Sequence, residues 1–240
     1  MCFACRTIRR DLTLGLAPVL PVSLCPLPGP LYSVLMGYKE SPVDEVRRRG
    51  SGLVAALFRH FLTRHRRCVE HELSGPADLV LPVPSSARPG RAPLDRVLGS
   101  SAGLALALGH SSGSHPPLWC PSALVRTAEP VGHMRAHPGA FGVPDWAAPM
   151  VAQARVLLLD DTYVSGARSQ SAVGALRLAG AARVLIVPLG RVIRPDKVAE
   201  HAAFLQRSRA GRAADRADRA EEPPCGRCVL AQAGAGAWTE

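Results

Sequence analysis

Aromatic side chains are scarce in this chain, at 5% of residues, and no stretch supplies the ~18 uninterrupted apolar residues of a membrane-spanning helix. The first shortage argues against a surface that stacks unpaired bases, and the second against an integral membrane protein. The apolar stretch from Leu12 to Leu35 is interrupted by Pro18, Pro21, Pro26, Pro28 and Pro30, so it reads as an extended, irregular arm. No secretory leader is expected either, because Arg6, Arg9 and Arg10 run into that proline-broken stretch without a cleavage signal. The expected location is the cytoplasm. Neither G-x-x-x-x-G-K-[ST] nor G-x-G-x-x-G occurs, which removes a Walker loop and a dinucleotide fingerprint.

What is present is a chain of 240 residues, 47% of them hydrophobic, enough for one main core. Lys and Arg number 29 against 19 Asp and Glu. That excess favours a polyanionic partner, and charge alone does not choose among nucleic acid, an anionic membrane surface and a phosphorylated small molecule. The seven cysteines form an odd set with two close pairs, Cys2/Cys5 and Cys225/Cys228. Their spacing suits a metal better than a disulfide framework, and zinc or free thiols both satisfy it. Domain termini often lie near each other, so the four could close one tetrahedral structural zinc site. Cys25, Cys68 and Cys120 read as small buried residues.

Along the chain, Ser41-Pro42-Val43-Asp44 predicts a helix start, with Ser as cap and Pro at the first position. Val43, Val46, Leu53, Leu57 and Phe61 continue it at helical spacing beneath a basic outer face. "ADLVLPVPSS" reads as a buried strand running into a loop, and Pro93 to Leu108 as a helix. Gly109 to Pro138 has no sustained period and is expected to be a long mobile loop with one short strand at most. "ARVLLLDD" then predicts a buried strand, "TYVSGARS" a turn, "QSAVGALRLAGA" a helix and "ARVLIVPLG" a second buried strand. Together they make a βαβ unit with a parallel sheet. The expected division is an N-terminal Cys-containing, proline-rich arm or hood (1–36), an α/β core (37–195), and a charged helix with a Cys-x-x-Cys tail (196–240), disordered past Leu230.

Asp160 and Asp161 close the first of those strands. Ligands of open α/β sheets bind beyond the carboxyl ends of strands, so position alone favours a site. Ser165-Gly166-Ala167 follows with small side chains that let backbone N–H groups and a helix N-terminus converge on an anion. A phosphate on the turn, with carboxylates beside it that accept hydroxyl protons, suits a ribose 5-phosphate. The rival reading is purely structural, since Asp and Thr stabilise helix starts with no ligand involved.

"VLLLDDTYVSGARSQSAVGALRLAGAARVLIVPLGR" resembles the phosphoribosyl diphosphate (PRPP) signature of type I phosphoribosyltransferases: apolar strand, two acids, a Thr/Ser-Gly turn and a helix. "DLVLPVPSSARPGR", "LVRTAEPVGHMRAHPGAFGV" and the N-terminal Cys-x-x-Cys look like the competence protein F (ComF) branch. The resemblance covers roughly residues 31 to 195, its specificity residing in the acidic turn. It implies an α/β fold with a parallel sheet flanked by helices and a small N-terminal hood. It further implies a glycosyltransferase of nucleotide metabolism that moves ribose 5-phosphate from PRPP to an acceptor, releasing diphosphate. Asp160 and Asp161 would hold the ribose hydroxyls and help order magnesium. Thr162, Ser165, Gly166, Ala167, Arg168 and Ser169 would cradle the 5-phosphate, while Ser85, Arg88 and Arg91 would meet the diphosphate. A noncatalytic accessory role in DNA uptake or nucleotide regulation is the alternative, with DNA or a DNA-processing protein as partner and a homodimer left open.

The chain also departs from that pattern. Where the family's turn reads Thr-Thr-Gly-x-Thr, this one has Val164-Ser165-Gly166-Ala167-Arg168. "RAPLDRV" replaces Arg-Gly-Phe-Asn-Gln, and the mobile loop keeps only Arg126, Arg135 and the Phe141 strand. Tyr38-Lys39 resembles a family Lys-Tyr pair in inverted order, with an exposed strand edge as the favoured placement. His133 and His137 flank Arg135 without a visible partner or metal set. The tail mixes Asp215, Asp218, Glu221 and Glu222 among its arginines, which suggests a salt-bridged solvated helix over a nucleic-acid track.

Overall fold

The structure is a computed structural model that describes residues 3–85, 93–98, 116–199, 201–203 and 205–206. Its centre is a five-stranded parallel sheet in the order β1-β7-β6-β2-β3. The strands are β1 (Ser23–Pro26), β2 (Leu79–Pro82), β3 (Leu118–Trp119), β6 (Arg155–Tyr163) and β7 (Arg183–Ile193). The small β4 (Val125–Arg126) and β5 (Phe141–Gly142) pair antiparallel beside it. The helices are α1 (Phe3–Leu12), α2 (Pro30–Glu40), α3 (Asp44–Arg64), α4 (Arg66–Leu73), α5 (Pro93–Leu98), α6 (Ala148–Val151) and α7 (Ala167–Leu178).

Alternation along β6 decides which helices cover which face. Leu157 and Leu159 point into a core built with α2 to α5, where Leu35, Phe58, Leu62 and Leu73 are buried. Val156 and Leu158 point the other way, into a second core with Phe141, Val151, Ala172, Val173 and Leu176. A parallel sheet covered on both faces needs such near-continuous apolar strands, and "RVLLLDDTY" and "RVLIVPLGRVI" supply them. Mixed α/β architecture with a parallel sheet flanked by helices is therefore what the chain builds.

The predicted βαβ unit is present as β6, α7 and β7, paired from Arg155↔Arg183 to Tyr163↔Arg191. Its turn is shorter than the sequence suggests. β6 runs on to Tyr163 and α7 starts at Ala167, so Arg168 and Ser169 lie in the first helical turn.

The irregular arm is the main correction. Ser23–Pro26 pairs parallel with Gly190–Ile193, and α2 begins directly at Pro30. Proline is tolerated because β1 is an edge strand and Pro30 occupies a first helical turn, where the missing N–H has no helical partner. Upstream, Gln170 holds Ala17 by both backbone groups, at 2.9 and 3.0 Å, and Arg177 donates to the carbonyls of Leu14 and Gly15. Other differences are smaller. The helix expected from Pro42 starts at Asp44, with Ser41 Oγ accepting from the Val43 N–H before it. Of the long loop expected over 109–138, β3 joins the sheet and β4 pairs with β5. The helix expected over 93–108 is described only to Leu98, and the charged tail lies almost wholly outside the described residues. Among those residues no helix is long and apolar enough to cross a membrane.

Two glycines of α3 predict opposite outcomes. A Cβ on Gly50 would sit 2.8 Å from Tyr38 Cβ, whereas one on Gly52 meets nothing within 4 Å. Gly52→Ala is expected to stabilise by about 1 kcal/mol through helix propensity. At Gly50 the same gain is opposed by overpacking of about 1–3 kcal/mol, so Gly50→Ala should be neutral to destabilising. Urea midpoints of the two variants check this, and equal gains would refute the close approach of α2 to α3.

Candidate functional site at the carboxyl ends of β2 and β6

From β2 the chain moves outward through α5 to β3, whereas β6 leads through α7, on the other face, to β7. The strand order therefore reverses between β2 and β6, and a crevice opens beyond their carboxyl ends. The Leu159 carbonyl accepts from the Val83 N–H at 2.8 Å, which sets the loop of Ser85 beside the acid pair. Arg88 and Arg91 follow it outside the described residues.

Asp160 and Asp161 are both buried, at 5% and 7% exposure, and as neighbours on a strand they diverge to opposite faces. Asp160 turns toward α7, where Ser169 Oγ donates to its Oδ2 at 2.5 Å. Burial, and after it the charge on Asp161, push the Asp160 carboxyl up to about 6, against the hydrogen bond from Ser169 and the charges of Lys39 and Arg168. Asp161 turns toward α2. There Tyr38 Oη donates to Oδ2 at 2.5 Å and Lys39 Nζ lies 2.5 Å from the same oxygen. The expected exposed strand edge at Tyr38-Lys39 is thus corrected: the pair sits in the last turn of α2, with Tyr38 2% exposed.

The turn expected to cradle a phosphate contains three hydroxyls with different fates. Ser165 Oγ donates to the His133 carbonyl and accepts from the Ala167 N–H at 3.3 Å, and Ser169 serves Asp160. Thr162 Oγ1 is buried with no hydrogen-bond partner among the described residues. Gly166 caps α7 with φ of +89°, a conformation that glycine adopts without steric cost. The first i−4 bond of α7 is Gln170 N–H to Gly166 O, so the amides of Ala167, Arg168 and Ser169 precede the helical ladder. Arg168 is exposed, and its charge acts on both Asp160 and Arg126. Burial first, and Arg168 second, lower the Arg126 pKa, and Arg126 lies over the Phe141 ring at 5.7 Å. Arg126 and Arg168 are thus two cations within electrostatic reach of each other at the start of α7.

The loop before β5 folds back over this end of α7. Ala136 packs with Ile8, Leu12 and Ala167, and Arg135 Nε donates to Asp11 Oδ2 at 2.9 Å. The His137 N–H donates to Ser171 Oγ, while its Nδ1 accepts from Gly139 and its Nε2 lies 3.7 Å from Glu129. His133 contributes its carbonyl rather than its ring. Sequence reading missed Asp11, and it missed the link from α2 to Asp161, because partners 124 and 123 residues apart leave no local signal.

Of the four cysteines expected to hold zinc, Cys5 lies on α1, and Cys2, Cys225 and Cys228 lie outside the described residues. A surface cavity of about 510 Å³, lined by Leu73, Asp78, Met150 and Arg155 among others, opens at the amino ends of the strands. Two of its charged groups already pair with each other, Arg155 donating to Asp78 at 2.8 and 2.9 Å. The carboxyl end is the better candidate.

No protein-family model matches the chain, and no curated protein does. Among solved structures, one described as the allosteric regulatory enzyme of purine biosynthesis is similar at 21% identity and a TM-score of 0.31. The likeness covers 54% of this chain and 25% of that one, so the chain spans about a quarter of the length of the structure it matches.

Proposed function

We propose that the protein binds PRPP at the carboxyl ends of β2 and β6 and transfers its ribose 5-phosphate to an acceptor, releasing diphosphate. One observation carries this reading: Thr162 Oγ1 is buried between Asp160 and the start of α7 with no partner among the described residues, where a buried hydroxyl without a partner costs roughly 1–3 kcal/mol. A phosphate on the first-turn amides of α7 would accept that hydroxyl, with Arg168 and Arg126 balancing its charge. Asp160 and Asp161 then flank the ribose, and on the sequence resemblance Ser85 and Arg88 would meet the diphosphate. Asp161, and Asp160 once ionised, accept hydrogen bonds from ribose hydroxyls and stabilise positive charge that develops at the anomeric carbon as its bond to diphosphate breaks. The bonding pair leaves with diphosphate, and a lone pair of the acceptor replaces it.

Magnesium fits this donor set as an ion carried by the diphosphate. Among the described residues no group of three His, Cys, Asp or Glu side chains is arranged for a metal, and Asp160 and Asp161 are the residues that would hold it. Bound there, it supplies neutralisation of the diphosphate charge.

Calorimetric titration with PRPP and magnesium is expected to show binding, and a screen of nucleobases and amines to show diphosphate release. Failure of the wild type to bind PRPP removes the proposal. Binding without release from any acceptor, together with salt-sensitive DNA binding, would favour the accessory role.

A further inference from the structure

Tyr38 and Lys39 reach Asp161 from an element that sequence reading placed at the boundary between arm and core. The clamp they form is built on rigid parts. β1, four residues before α2, is fixed to β7, and Gly50 of α3 leaves room for the Tyr38 backbone where any Cβ would intrude. Gly190 of β7 similarly makes room for Leu35 of α2, since a Cβ there would come within 2.7 Å of Leu35 Cδ1. Tyr38 is 2% exposed, and the Lys39 and Asp161 side chains are 20% and 10% exposed.

Both contacts fall on Oδ2 of Asp161, and neither uses Oδ1. We infer that Tyr38 and Lys39 are positioning residues for Asp161, holding its carboxylate by one oxygen so that the other accepts a hydroxyl of the bound sugar phosphate. The inference rests on the proposed PRPP reading. A buried carboxylate without fixed partners is free to rotate toward water, and a rotated carboxylate no longer presents its acceptor oxygen to the sugar. Lys39 Nζ and Tyr38 Oη, both reaching in from α2, hold the Asp161 carboxylate against that rotation. The charged neighbours are Lys39 from α2, Asp160 on the same strand, and Arg168 of α7, which acts on Asp160 from the opposite face. Lys39 is thus the cation in contact with this carboxylate among the described residues.

The test is PRPP–magnesium affinity at pH 8 for wild type, Lys39→Met, Lys39→Arg and Tyr38→Phe. Lys39→Met should weaken binding roughly 10- to 100-fold, as expected for a lost charge-assisted hydrogen bond. Lys39→Arg should recover most of the loss, and Tyr38→Phe should weaken binding roughly 3- to 10-fold. Lys39→Met binding as tightly as wild type, or more tightly, would overturn the inference. If Lys39→Met does not fold, Lys39→Arg and Tyr38→Phe carry the same test. If wild type binds no PRPP, the proposed function fails, and the clamp is read from thermal unfolding at pH 8. There Lys39→Met should lower Tm by roughly 6 to 12 °C, and adding Asp161→Asn should restore most of it. Absence of restoration would sink the clamp itself.

Discussion

At pH 8, Asp160→Asn is expected to unfold at a higher urea concentration than wild type and to have lost PRPP binding. The Asp160 carboxyl is pushed up to about 6, chiefly by burial and then by Asp161. An unfolded Asp titrates near roughly 3.9, so the folded protein holds this proton more tightly than the unfolded chain. Below the unfolded value both states are protonated, and no difference arises. Between roughly 4 and 6 stability falls as pH rises, and above that window the folded protein carries a buried charge. A gap of about two units corresponds to an upper bound of about 3 kcal/mol, and coupling to Asp161 spreads it over the pair, leaving roughly 1–3 kcal/mol. Asparagine removes the charge and still accepts from Ser169. Its advantage should therefore be full at pH 8 and absent at pH 3.5, as urea midpoints across that range will show. Parallel pH dependence in the two proteins would refute the assignment. On the proposed function the same change deprives ribose of an ionised acceptor, and a gain in stability with a loss of binding is the exchange that functional sites commonly show.

Gly166→Ala is expected to cause the largest loss of stability from a single methyl group. Gly166 and Gly180 both have φ of +89°, so alanine carries the same backbone cost at each, roughly 1–2 kcal/mol. Their surroundings differ. At Gly180 the nearest atom to a new Cβ is Ala152 Cα at 3.6 Å, whereas at Gly166 it would overlap the Tyr163 ring, 2.1 Å from Oη and 2.3 Å from Cζ. That ring is 6% exposed and lies under the Arg191 guanidinium at 4.6 Å, so it has little freedom to withdraw. Gly166→Ala should cost about 1–3 kcal/mol more than Gly180→Ala, the overpacking contribution alone. At roughly 2–4 °C per kcal/mol the difference is readable in Tm. Equal losses would mean that Tyr163 does not fill this space. Because Gly166 also sets the start of α7, its substitution should weaken any anion bound on that turn.

The βαβ unit was legible in the sequence because β6 and β7 are long and apolar, and α7 between them is bounded by Gly166 and Gly180. The acid pair was legible for the same reason, lying where the apolar run ends. What failed was local pattern without local cause. β1 has only four residues, two of its neighbours are prolines, and its strand character comes entirely from β7. Tyr38 and Lys39 read as an exposed strand edge, since the acid they meet, Asp161, lies far along the chain. Ser165 lies in the expected turn, whereas Ser169, expected there too, lies in the first turn of α7. The partners that take up their hydroxyls, His133 O and Asp160, were decided by tertiary packing.

The pairing of β1 with β7 also orders events during synthesis. Ser23 leaves the ribosome about 167 residues before its partner Gly190, the span from position 23 to position 190, and at ~5–20 residues per second that is roughly 8 to 33 s. Through that interval a strand destined for the sheet has nothing to pair with. Pro18, Pro21, Pro26, Pro28 and Pro30 lack the N–H donors on which a stray β partner would seize. The prolines that disguise this segment as an irregular arm are the feature that lets it wait, unpaired, until the last strand of the sheet has been made.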